Sequence, residues 1–496
     1  METSTNTDSQ RPLPAFVQKP LQMLIDGKWV DAVSGARLDV ENPSTGEVFA
    51  SVPAGDAQDV DLAVQAARRS FDQGAWARMS AVQRERILWK LSDLFEQNIK
   101  ELVELEIIDN GMPISLITRA VERAIDGFRY YAGMCTKIHG RTSDISGLRA
   151  EFHAYSLAEP VGVAALIVPW NSPFAAACNK IAPALAAGCS TVLKPAEQTP
   201  LSALRIGELA LEAGVPPGVL NVVTGLGHAA GAALANHHDV DKISFTGSTA
   251  VGKQLVQAAA GNLKRLSLEL GGKSPVFVFD DADLDIAIPR AAGAIFSNSG
   301  QICYAGSRLY VQQGVFDKVV AGVAEIAKKM RMGDSFDRKT ELGPLISERQ
   351  RRTVMDYIES GVAEGAELVT GGRPLDRRGY FVEPTVFANP GKQSRIVNEE
   401  IFGPVLSAMP FDDIGEVPVL ANATPYGLGA GIFTRGLSTA HRVAKMIRTG
   451  NVWINFYGGA DKSLPFGGYK QSGWGREGGS EGIEAFLEKK AVYVRL

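Results

Sequence analysis

The sequence contains few cysteines, and no two of them have the spacing of a metal-binding pair. Among the 496 residues there are only four, Cys135, Cys178, Cys189 and Cys303, with no C-x-x-C pattern. This spacing argues against a zinc or iron–sulfur site and against the disulfide framework of small secreted domains. We therefore assign no metal and expect a reducing, cytoplasmic location.

The chain also lacks a long apolar run and a strong excess of charge. Its most apolar stretch, residues 161–193, is interrupted by Pro169, Lys180 and Pro183, so no uncharged run reaches the roughly 18 residues that cross a membrane. A net charge of −4 without a long basic segment argues against a nucleic-acid partner. The polar residues 1–20 lack the apolar segment of a secretory signal, and we expect a flexible tail there.

Apolar strands alternate with helical segments from Pro160 to Gly272. Strands are predicted at 161–168 and 190–195, each followed by a helix, and the pattern continues to "LSLELGG". Such repetition predicts an α/β fold with a doubly wound, parallel, Rossmann-like sheet. A second α/β block begins near Ser274. This agrees with the chain length, from which roughly three domains are expected.

Two further β elements belong to neither block. One is a hairpin-like segment near residues 141–159, and the other is the C-terminal "KKAVYVRL". We expect them to pair with each other or with another subunit.

Candidate nucleotide contacts follow several strands of the first block. The turns "VVTGLG", with Gly225 and Gly227, and "FTGSTAVG" do not form a G-x-G-x-x-G run, so ordinary strand–helix turns remain an equal alternative. In "LKPAEQTP", Lys194 and Glu197 come just after a strand. A carboxylate there would accept hydrogen bonds from ribose hydroxyls and favour NAD over a 2′-phosphorylated cofactor; a solvated surface pair is the alternative.

One cysteine stands in the polar, glycine-bracketed stretch "NSGQICYAGSR". Cys303 is a nucleophile there if a base lies nearby, or a small core residue if none does. None of the six histidines lies in a segment that faces this loop, although a Cys–His pair forms only in space. Glu269, at the end of a strand in "LELGGKSP", is either a general base or a satisfied polar terminus. Asn171 in "PWNSP" is either an oxyanion donor or a turn residue.

Seven ordered motifs identify a family resemblance. They are "VPWNSPF", "TVLKPAEQTP", "ISFTGST", "LELGGKSP", "GQICYAGSR", "EEIFGPV" and "LPFGGYKQSGWGRE". With them the chain resembles the NAD(P)-dependent aldehyde dehydrogenase superfamily over nearly its full length. The resemblance implies an NAD-binding domain at 21–140 and 160–271, a catalytic domain at 272–472, and a small bridging β-sheet from 141–159 and 473–496. It also implies a homo-oligomer, a dimer or tetramer, assembled through that sheet.

The resemblance assigns roles to individual residues. Cys303 matches the nucleophile that forms a hemithioacetal and then a thioester. Glu269 matches the general base, and Asn171 matches the oxyanion donor that acts with the Cys303 backbone N–H. The expected NAD contacts are Pro169, Trp170, Lys194, Glu197, Gly227, Phe245, Gly247, Ser248, Leu270, Gly271, Glu400 and Phe402.

Departures from the family pattern concern the substrate. The predicted substrate pocket comprises Ser172, Ala176, Asn179, Tyr304, Phe456 and Phe466. Several of these side chains are smaller than in many relatives, whereas the aromatic ones suit an apolar wall. We expect a bulky apolar aldehyde, aromatic, terpenoid or longer-chain, unless backbone shifts refill the space.

Four other functions remain open at this stage. A CoA-acylating dehydrogenase is one, although Glu269 argues against it. A dehydrogenase for carboxylate-bearing semialdehydes is another; no arginine is evident on the segments predicted to form the pocket, but Lys462 keeps it open. A non-catalytic structural protein and a cysteine hydrolase are the others. The hydrolase would have no need for a ribose site at Lys194 and Glu197.

Overall fold

The computed structural model describes residues 12–146 and 150–496. Its strands, in chain order, are β1 (Met23–Ile25), β2 (Lys28–Val30), β3 (Arg37–Asn42), β4 (Glu47–Pro53), β5 (Thr142–Ser143), β6 (Phe152–Pro160), β7 (Val163–Ile167), β8 (Ser190–Lys194), β9 (Leu220–Val222), β10 (Lys242–Thr246), β11 (Arg265–Glu269), β12 (Pro275–Val278), β13 (Arg308–Gln312), β14 (Glu367–Thr370), β15 (Thr385–Ala388), β16 (Val405–Phe411), β17 (Gly429–Phe433), β18 (Asn451–Ile454), β19 (Gly473–Trp474) and β20 (Leu487–Arg495).

Helices separate most of these strands. They are α1 (Ala57–Gln73), α2 (Ala75–Arg78), α3 (Ala81–Gln97), α4 (Ile99–Asn110), α5 (Ile114–Ala132), α6 (Pro173–Ala187), α7 (Leu201–Ala213), α8 (Ala232–Asn236), α9 (Thr249–Ala259), α10 (Leu284–Phe296), α11 (Phe316–Lys329), α12 (Glu348–Ala363), α13 (Arg395–Asn398), α14 (Val417–Asn422), α15 (Leu437–Met446) and α16 (Gly479–Glu484). Within residues 12–146 and 150–496, none of the helices combines the length and apolar character of a membrane span.

The first large sheet has the strand order β19-β11-β10-β7-β8-β9-β1-β2. Its inner strands, from β11 to β9, run parallel. The chain passes from β7 through β8 and β9 toward one edge, then crosses to β10 and β11 on the other side, so the strand order reverses between β7 and β10. Ligands of such sheets bind beyond the carboxyl ends of the strands at this reversal. The prediction of a doubly wound parallel sheet is confirmed.

Strand β7 is apolar throughout because both of its faces are covered. Ala164 and Leu166 belong to one hydrophobic core, and Val163, Ala165 and Ile167 belong to another on the opposite face. A strand buried on both sides has no polar face to alternate with. The uninterrupted apolar run in the sequence is thus a consequence of helices packing on both sides of the sheet.

The second large sheet has the order β14-β15-β16-β13-β12-β17-β18. All of its neighbouring strands are parallel except β14 and β15. Residues 270–274 link the carboxyl end of β11 to the amino end of β12, so the chain passes directly from one sheet to the other. The predicted second α/β block is therefore present and begins where the first sheet ends.

The third sheet has the order β20-β6-β5. Strand β20 pairs with β6 in antiparallel register, from Leu487 opposite Pro160 to Arg495 opposite Phe152. Of the two pairings that the sequence left open, the structure has the one within the chain.

Two segments differ from the predicted boundaries. Gly473 and Trp474, assigned to the bridging element, form β19 at the edge of the first sheet, where they pair with β11. In the predicted tail at 1–20, residues 1–11 lie outside the described part of the chain. Within the remainder, Phe16 and Val17 belong to a short 3₁₀ helix and are buried in the core. Burial of a phenylalanine side chain holds this segment against the domain.

Candidate functional site

The Cys303 loop lies at the junction of the two large sheets. It connects α10 to β13, close to the segment that leaves β11. A Cβ atom on Gly272 would lie 2.4 Å from the carbonyl oxygen of Cys303, a distance that no side chain tolerates. Gly272, the second glycine of "LELGG", therefore allows the two segments to touch.

Hydrogen bonds join the cysteine loop to the loop after β7. Asn171 Nδ2 donates to the Gln301 carbonyl oxygen at 2.9 Å, and Asn298 Nδ2 donates to the Asn171 carbonyl oxygen at 3.1 Å. The Gln301 side chain in turn accepts from the amide of Ile346 at 2.9 Å. Sequence analysis did not assign Asn298 or Gln301, although both lie in the stretch "NSGQICYAGSR". Through these bonds the Asn171 side chain contacts the backbone of Gln301, which precedes Cys303 by two residues in the chain.

The backbone just before the cysteine is in the left-handed region. The φ angles of Asn298, Ser299 and Gly300 are +48°, +53° and +72°. A Cβ atom on Gly300 would lie 2.0 Å from the Gly403 carbonyl oxygen, so only glycine fits there. Backbone strain of this kind is maintained by surrounding contacts and clusters at functional sites.

Two carboxylates influence the Cys303 thiol. Burial raises its pKa, and the negative charges of Glu269 and Glu400 raise it further. Burial also raises the pKa of Glu269 well above its ordinary value, as does Glu477, whereas Lys180 and Arg476 lower it. Glu269 Oε2 has no hydrogen-bond partner among the described residues. The thiol and this carboxyl group therefore both favour their neutral forms.

A buried ion pair borders Glu269, and sequence analysis missed it. Lys180 Nζ donates to Glu477 Oε1 and, at 3.1 Å, to Ser244 Oγ. The only sequence signal was a lysine within the otherwise apolar helix α6. Lys180 lowers the pKa of Glu269 and Glu477 raises it, so the effects of the two partners oppose each other.

Glu400 and Phe402 lie beside the segments that follow β7 and β11. Glu400 Oε1 accepts from the Gly272 amide at 3.0 Å, and burial raises the pKa of Glu400 to about 7. A Cβ atom on Gly271 would lie 2.0 Å from Glu400 Oε2. The Phe402 and Trp170 rings meet edge to face with centroids 5.2 Å apart. Four of the predicted cofactor contacts are thus neighbours.

Lys194 and Glu197 follow β8 as the sequence indicated. The Lys194 side chain is buried, Nζ donates to the Pro195 carbonyl oxygen at 2.8 Å, and it lies 3.9 Å from Glu197 Oε2. Burial lowers the Lys194 pKa to about 8, and the Glu197 charge acts in the opposite direction. The alternative of a solvated surface pair does not apply to Lys194, because its side chain is only 3% exposed.

The remaining predicted cofactor residues lie in or just after strands β7, β9, β10 and β11 of the first sheet. The Gly247 amide donates to the Glu269 carbonyl oxygen at 3.0 Å, and the Ser248 side chain caps α9 by accepting from the Val251 amide at 3.3 Å. A Cβ atom on Gly227 would meet nothing within 4 Å, so the space beside it is open. The others in this region are Pro169, Phe245 and Leu270.

Tyr304 packs in an aromatic cluster directly after the cysteine. Its ring centroid lies 5.4 Å from that of Trp453, 6.1 Å from that of Phe466 and 6.5 Å from that of Tyr457. The Tyr457 hydroxyl donates to the Tyr304 carbonyl oxygen at 2.5 Å. Sequence analysis had not assigned Trp453 or Tyr457.

The other predicted pocket residues are distributed unevenly. Ser172 precedes α6, and Ala176 and Asn179 follow on that helix, where the Ala176 amide donates to the Ser172 carbonyl oxygen at 2.8 Å. Phe456 is 47% exposed and makes none of the ring contacts found in the described chain.

No group of three or more His, Cys, Asp or Glu residues within residues 12–146 and 150–496 is placed to hold a metal ion.

Residues 29–492 match the model of the aldehyde dehydrogenase family. The chain is 48% identical to a putative aldehyde dehydrogenase, DhaS, of Bacillus subtilis, over 98% of this chain and 97% of that protein. It is 47% identical to a mitochondrial aldehyde dehydrogenase of Rattus norvegicus, over 98% of this chain and 94% of that one.

Solved structures agree with the sequence comparison. An NAD⁺ complex of an aldehyde dehydrogenase from Bacillus cereus superposes with a TM-score of 0.95 at 44% identity, covering 97% of this chain and 98% of the other. A betaine aldehyde dehydrogenase from Staphylococcus aureus, also with NAD⁺, superposes with a TM-score of 0.95 at 38% identity, covering 97% and 96%. With this fold, these matches and full-length coverage, the chain belongs to the aldehyde dehydrogenase family and is an oxidoreductase that acts on aldehydes.

Proposed function

We propose that this protein oxidises a bulky aldehyde with an apolar or aromatic body to its carboxylic acid, with NAD as the acceptor. The observation that supports this most directly is the position of Cys303. Its loop is hydrogen-bonded to Asn171 through the Gln301 carbonyl oxygen, and Glu269 is close enough to influence the pKa of the Cys303 thiol. A thiol, an amide donor and a carboxyl group at one junction are the parts that covalent oxidation of an aldehyde needs.

The residues beyond the carboxyl ends of the first sheet suit NAD. The Lys194 ammonium is buried with one carbonyl partner and retains donors for ribose hydroxyls, and Glu197 supplies an acceptor beside it. Glu400 and Phe402 would hold the nicotinamide ribose and ring next to Cys303. When bound, NAD supplies the hydride acceptor. Because Glu197 would repel a 2′-phosphate, we expect Glu197→Ser to raise kcat/KM with NADP relative to NAD by about tenfold.

Cys303 is the proposed nucleophile and Glu269 the proposed base. The step starts from the form in which Glu269 is ionised: its charge raises the pKa of the thiol, and transfer of the thiol proton to this carboxylate leaves one negative charge at the site rather than two. The thiolate then adds to the aldehyde carbon, and a hemithioacetal forms. Loss of hydride to the bound acceptor converts it to a thioester. Once Glu269 has released the thiol proton to solvent, its carboxylate takes a proton from water as the water attacks the thioester, and the acid leaves with the Cys303 thiolate restored.

Asn171 is the proposed oxyanion donor. Its Nδ2 already donates one hydrogen to the Gln301 carbonyl oxygen at 2.9 Å, which leaves the second hydrogen of the amide for the oxygen of the tetrahedral intermediate. The backbone N–H of Cys303 is the second donor. Donors fixed in this way stabilise charge as it develops, without having to reorganise.

The aromatic cluster supports an apolar body in the substrate. Tyr304 directly follows the cysteine and its ring packs near those of Trp453 and Phe466. Ser172 and Ala176 are small residues at the start of α6. Rings of this size contribute much of the apolar contact area of a pocket. We therefore expect kcat/KM to be higher for phenylacetaldehyde, hexanal and geranial than for acetaldehyde.

The test is NADH formation by the purified protein over that panel of aldehydes. The Cys303→Ala variant should form no NADH, and Cys178→Ala, which removes a buried thiol of α6, should keep most of the activity. Higher kcat/KM for acetaldehyde than for phenylacetaldehyde and geranial would refute the bulky substrate. Turnover that depends on free CoA would favour an acylating enzyme.

We also propose that the domains follow the predicted boundaries, except that Phe16 and Val17 pack in the core and Gly473 and Trp474 join the first sheet, and that the chain forms a homotetramer through the third sheet. Strand β20 exposes apolar side chains, with Tyr493 60% and Val494 42% accessible, and such residues are typical of a covered surface. Light scattering of the purified protein should give four times the mass of the chain; a monomer would refute the assembly. A cytoplasmic location stays a prediction from the four free cysteines.

A further inference from the structure

A lysine enters the wall of the proposed substrate pocket from the loop after β18. Lys462 Nζ donates to Asn179 Oδ1 on α6 at 2.7 Å. Its aliphatic stem crosses α5, where a Cβ atom on Gly127 would lie 2.8 Å from Lys462 Cγ. One of the three donors of the ammonium group is therefore used, and the stem is held between two helices.

An arginine from α5 lies on the same face. Arg123 precedes Gly127 by four residues, so the two are neighbours on the helix surface. The Arg123 charge acts on two groups of the pocket: it lowers the pKa of Tyr304, against the larger effect of burial, and adds to the burial effect that lowers the pKa of Lys462. Sequence analysis found no arginine on the predicted pocket segments because α5 was not among them.

The carboxylates around Lys462 have hydrogen-bond or ion-pair partners of their own, although the charges of Glu477 and Asp461 also raise the Lys462 pKa. Glu477 binds Lys180, and Asp461 accepts from the amide of Ser463 at 2.9 Å. Asp126, the next acid along α5, lies 3.9 Å from Arg129. Among the ion pairs of residues 12–146 and 150–496, none includes Arg123 or Lys462. Neither cation therefore has a carboxylate at ion-pair distance in this part of the chain.

We propose that Arg123 and Lys462 bind a carboxylate at the far end of the substrate, so that the preferred substrates are aldehydes with an apolar body and an anionic tail. This inference rests on the proposed function, since it places the aldehyde carbon at Cys303 and the body against Tyr304. Charge-assisted hydrogen bonds to a carboxylate are stronger than neutral ones. An anchor at the far end also holds the reacting carbon in place.

Matched pairs of aldehydes test the inference. We would compare 4-formylbenzoate with methyl 4-formylbenzoate, and 9-oxononanoate with its methyl ester, by kcat/KM for NADH formation. The wild-type protein should favour each carboxylate over its ester by about tenfold, since charge-assisted bonds are lost in the ester. The preference for the carboxylate should also weaken with added salt, because exposed charges are screened.

Three variants assign the effect to residues. Arg123→Met and Lys462→Met should each remove most of the preference by lowering kcat/KM for the carboxylates about tenfold, with the esters changed less than about twofold. Arg290→Met, at an exposed arginine of α10, is the matched control and should change neither. Arg123 is exposed, so its variant keeps the test valid if Lys462→Met fails to fold.

The outcomes separate the inference from the proposed function. If the wild-type protein oxidises ester and carboxylate equally well, or if Arg123→Met lowers both alike, the anionic tail is refuted while a bulky apolar substrate stands. If neither member of either pair is oxidised although acetaldehyde is, the bulky substrate is refuted and the inference with it.

Discussion

Buried carboxyl groups occur in two regions of the first domain and are held differently. Beneath the sheet, Glu106 Oε1 accepts from the amide of Phe174 at 3.0 Å, and Asp109 Oδ2 accepts from the amide of Leu201 at 3.2 Å. These amides lie in the first turns of α6 and α7, where backbone donors have no partner within the helix. At the site, none of the hydrogen bonds found in the described residues involves the Glu269 carboxyl group.

Burial raises the pKa of all three groups. A raised pKa therefore does not identify a catalytic acid or base by itself. The difference lies in the partners, because Glu106 and Asp109 complete helix ends, whereas Glu269 is left unpaired beside a thiol. An enzyme needs the second arrangement, since a carboxyl group already bound to an amide has less freedom to exchange a proton with substrate.

Neutralising one carboxyl group in each region tests the difference between the two regions most directly. We expect Glu269→Gln to lower kcat by about 10³-fold, as loss of a general base does, with little change in thermal stability. Glu106→Gln, which retains an acceptor oxygen for Phe174, should leave kcat within about twofold. Steady-state NADH formation gives kcat for both variants. Similar losses of kcat in the two would contradict a special role for the carboxyl group beside Cys303.

Glu400 is an intermediate case, since it is paired with the Gly272 amide yet lies in the site. We expect Glu400→Gln to lower kcat about 100-fold, because misplacement of the reacting groups has effects of that size. The affinity for NADH, from fluorescence titration, should change much less. Unchanged kcat with reduced stability would instead mean that Glu400, like Glu106, supports the fold rather than the reaction.

Asp109 provides the stability counterpart. Removing its carboxyl group in Asp109→Ala leaves the buried amide of Leu201 unpaired, which costs about 1–3 kcal/mol of unfolding free energy. Asp109→Asn keeps an acceptor and should recover most of the loss. Urea unfolding gives the comparison, and a large fall in kcat at unchanged stability would mean that Asp109 acts on the reaction.

The smallest expected effect is on the pH dependence of stability. Burial raises the Glu106 pKa to about 7, above an unfolded value of about 4.3. Between these values the folded state binds more protons than the unfolded state, so the free energy of unfolding falls as pH rises through this range. From pH 5 to pH 8, wild type should lose on the order of 1 kcal/mol relative to Glu106→Gln; parallel pH profiles would contradict the assignment.

Much of the fold could be predicted because local patterns reflected it. The strand at 161–168 is β7, and the helix before Gly214 is α7, which ends at that glycine with φ of +101°. Boundaries failed where distant segments pair. Trp474 joins β11, some 200 residues earlier in the chain, and nothing in its local sequence indicates that partner.

The site was predicted less evenly. Cys303, Glu269 and Asn171 stood in motifs with chemically telling neighbours, whereas Lys180 and Glu477 are close only in space. Arg123 was missed for the same reason, since it looks like an ordinary surface residue of a helix. Tests of the predicted roles remain the mutations above.

The order of strands and helices, the turns that glycine permits and the motifs that indicate the family could all be predicted from the sequence, because these depend on neighbours along the chain. Which ionisable side chains come close depends on the tertiary structure: Glu269 near Cys303, Lys180 with Glu477, and Lys462 near Arg123. Electrostatic interactions depend on distance through space and on burial, and neither quantity is set by separation along the chain.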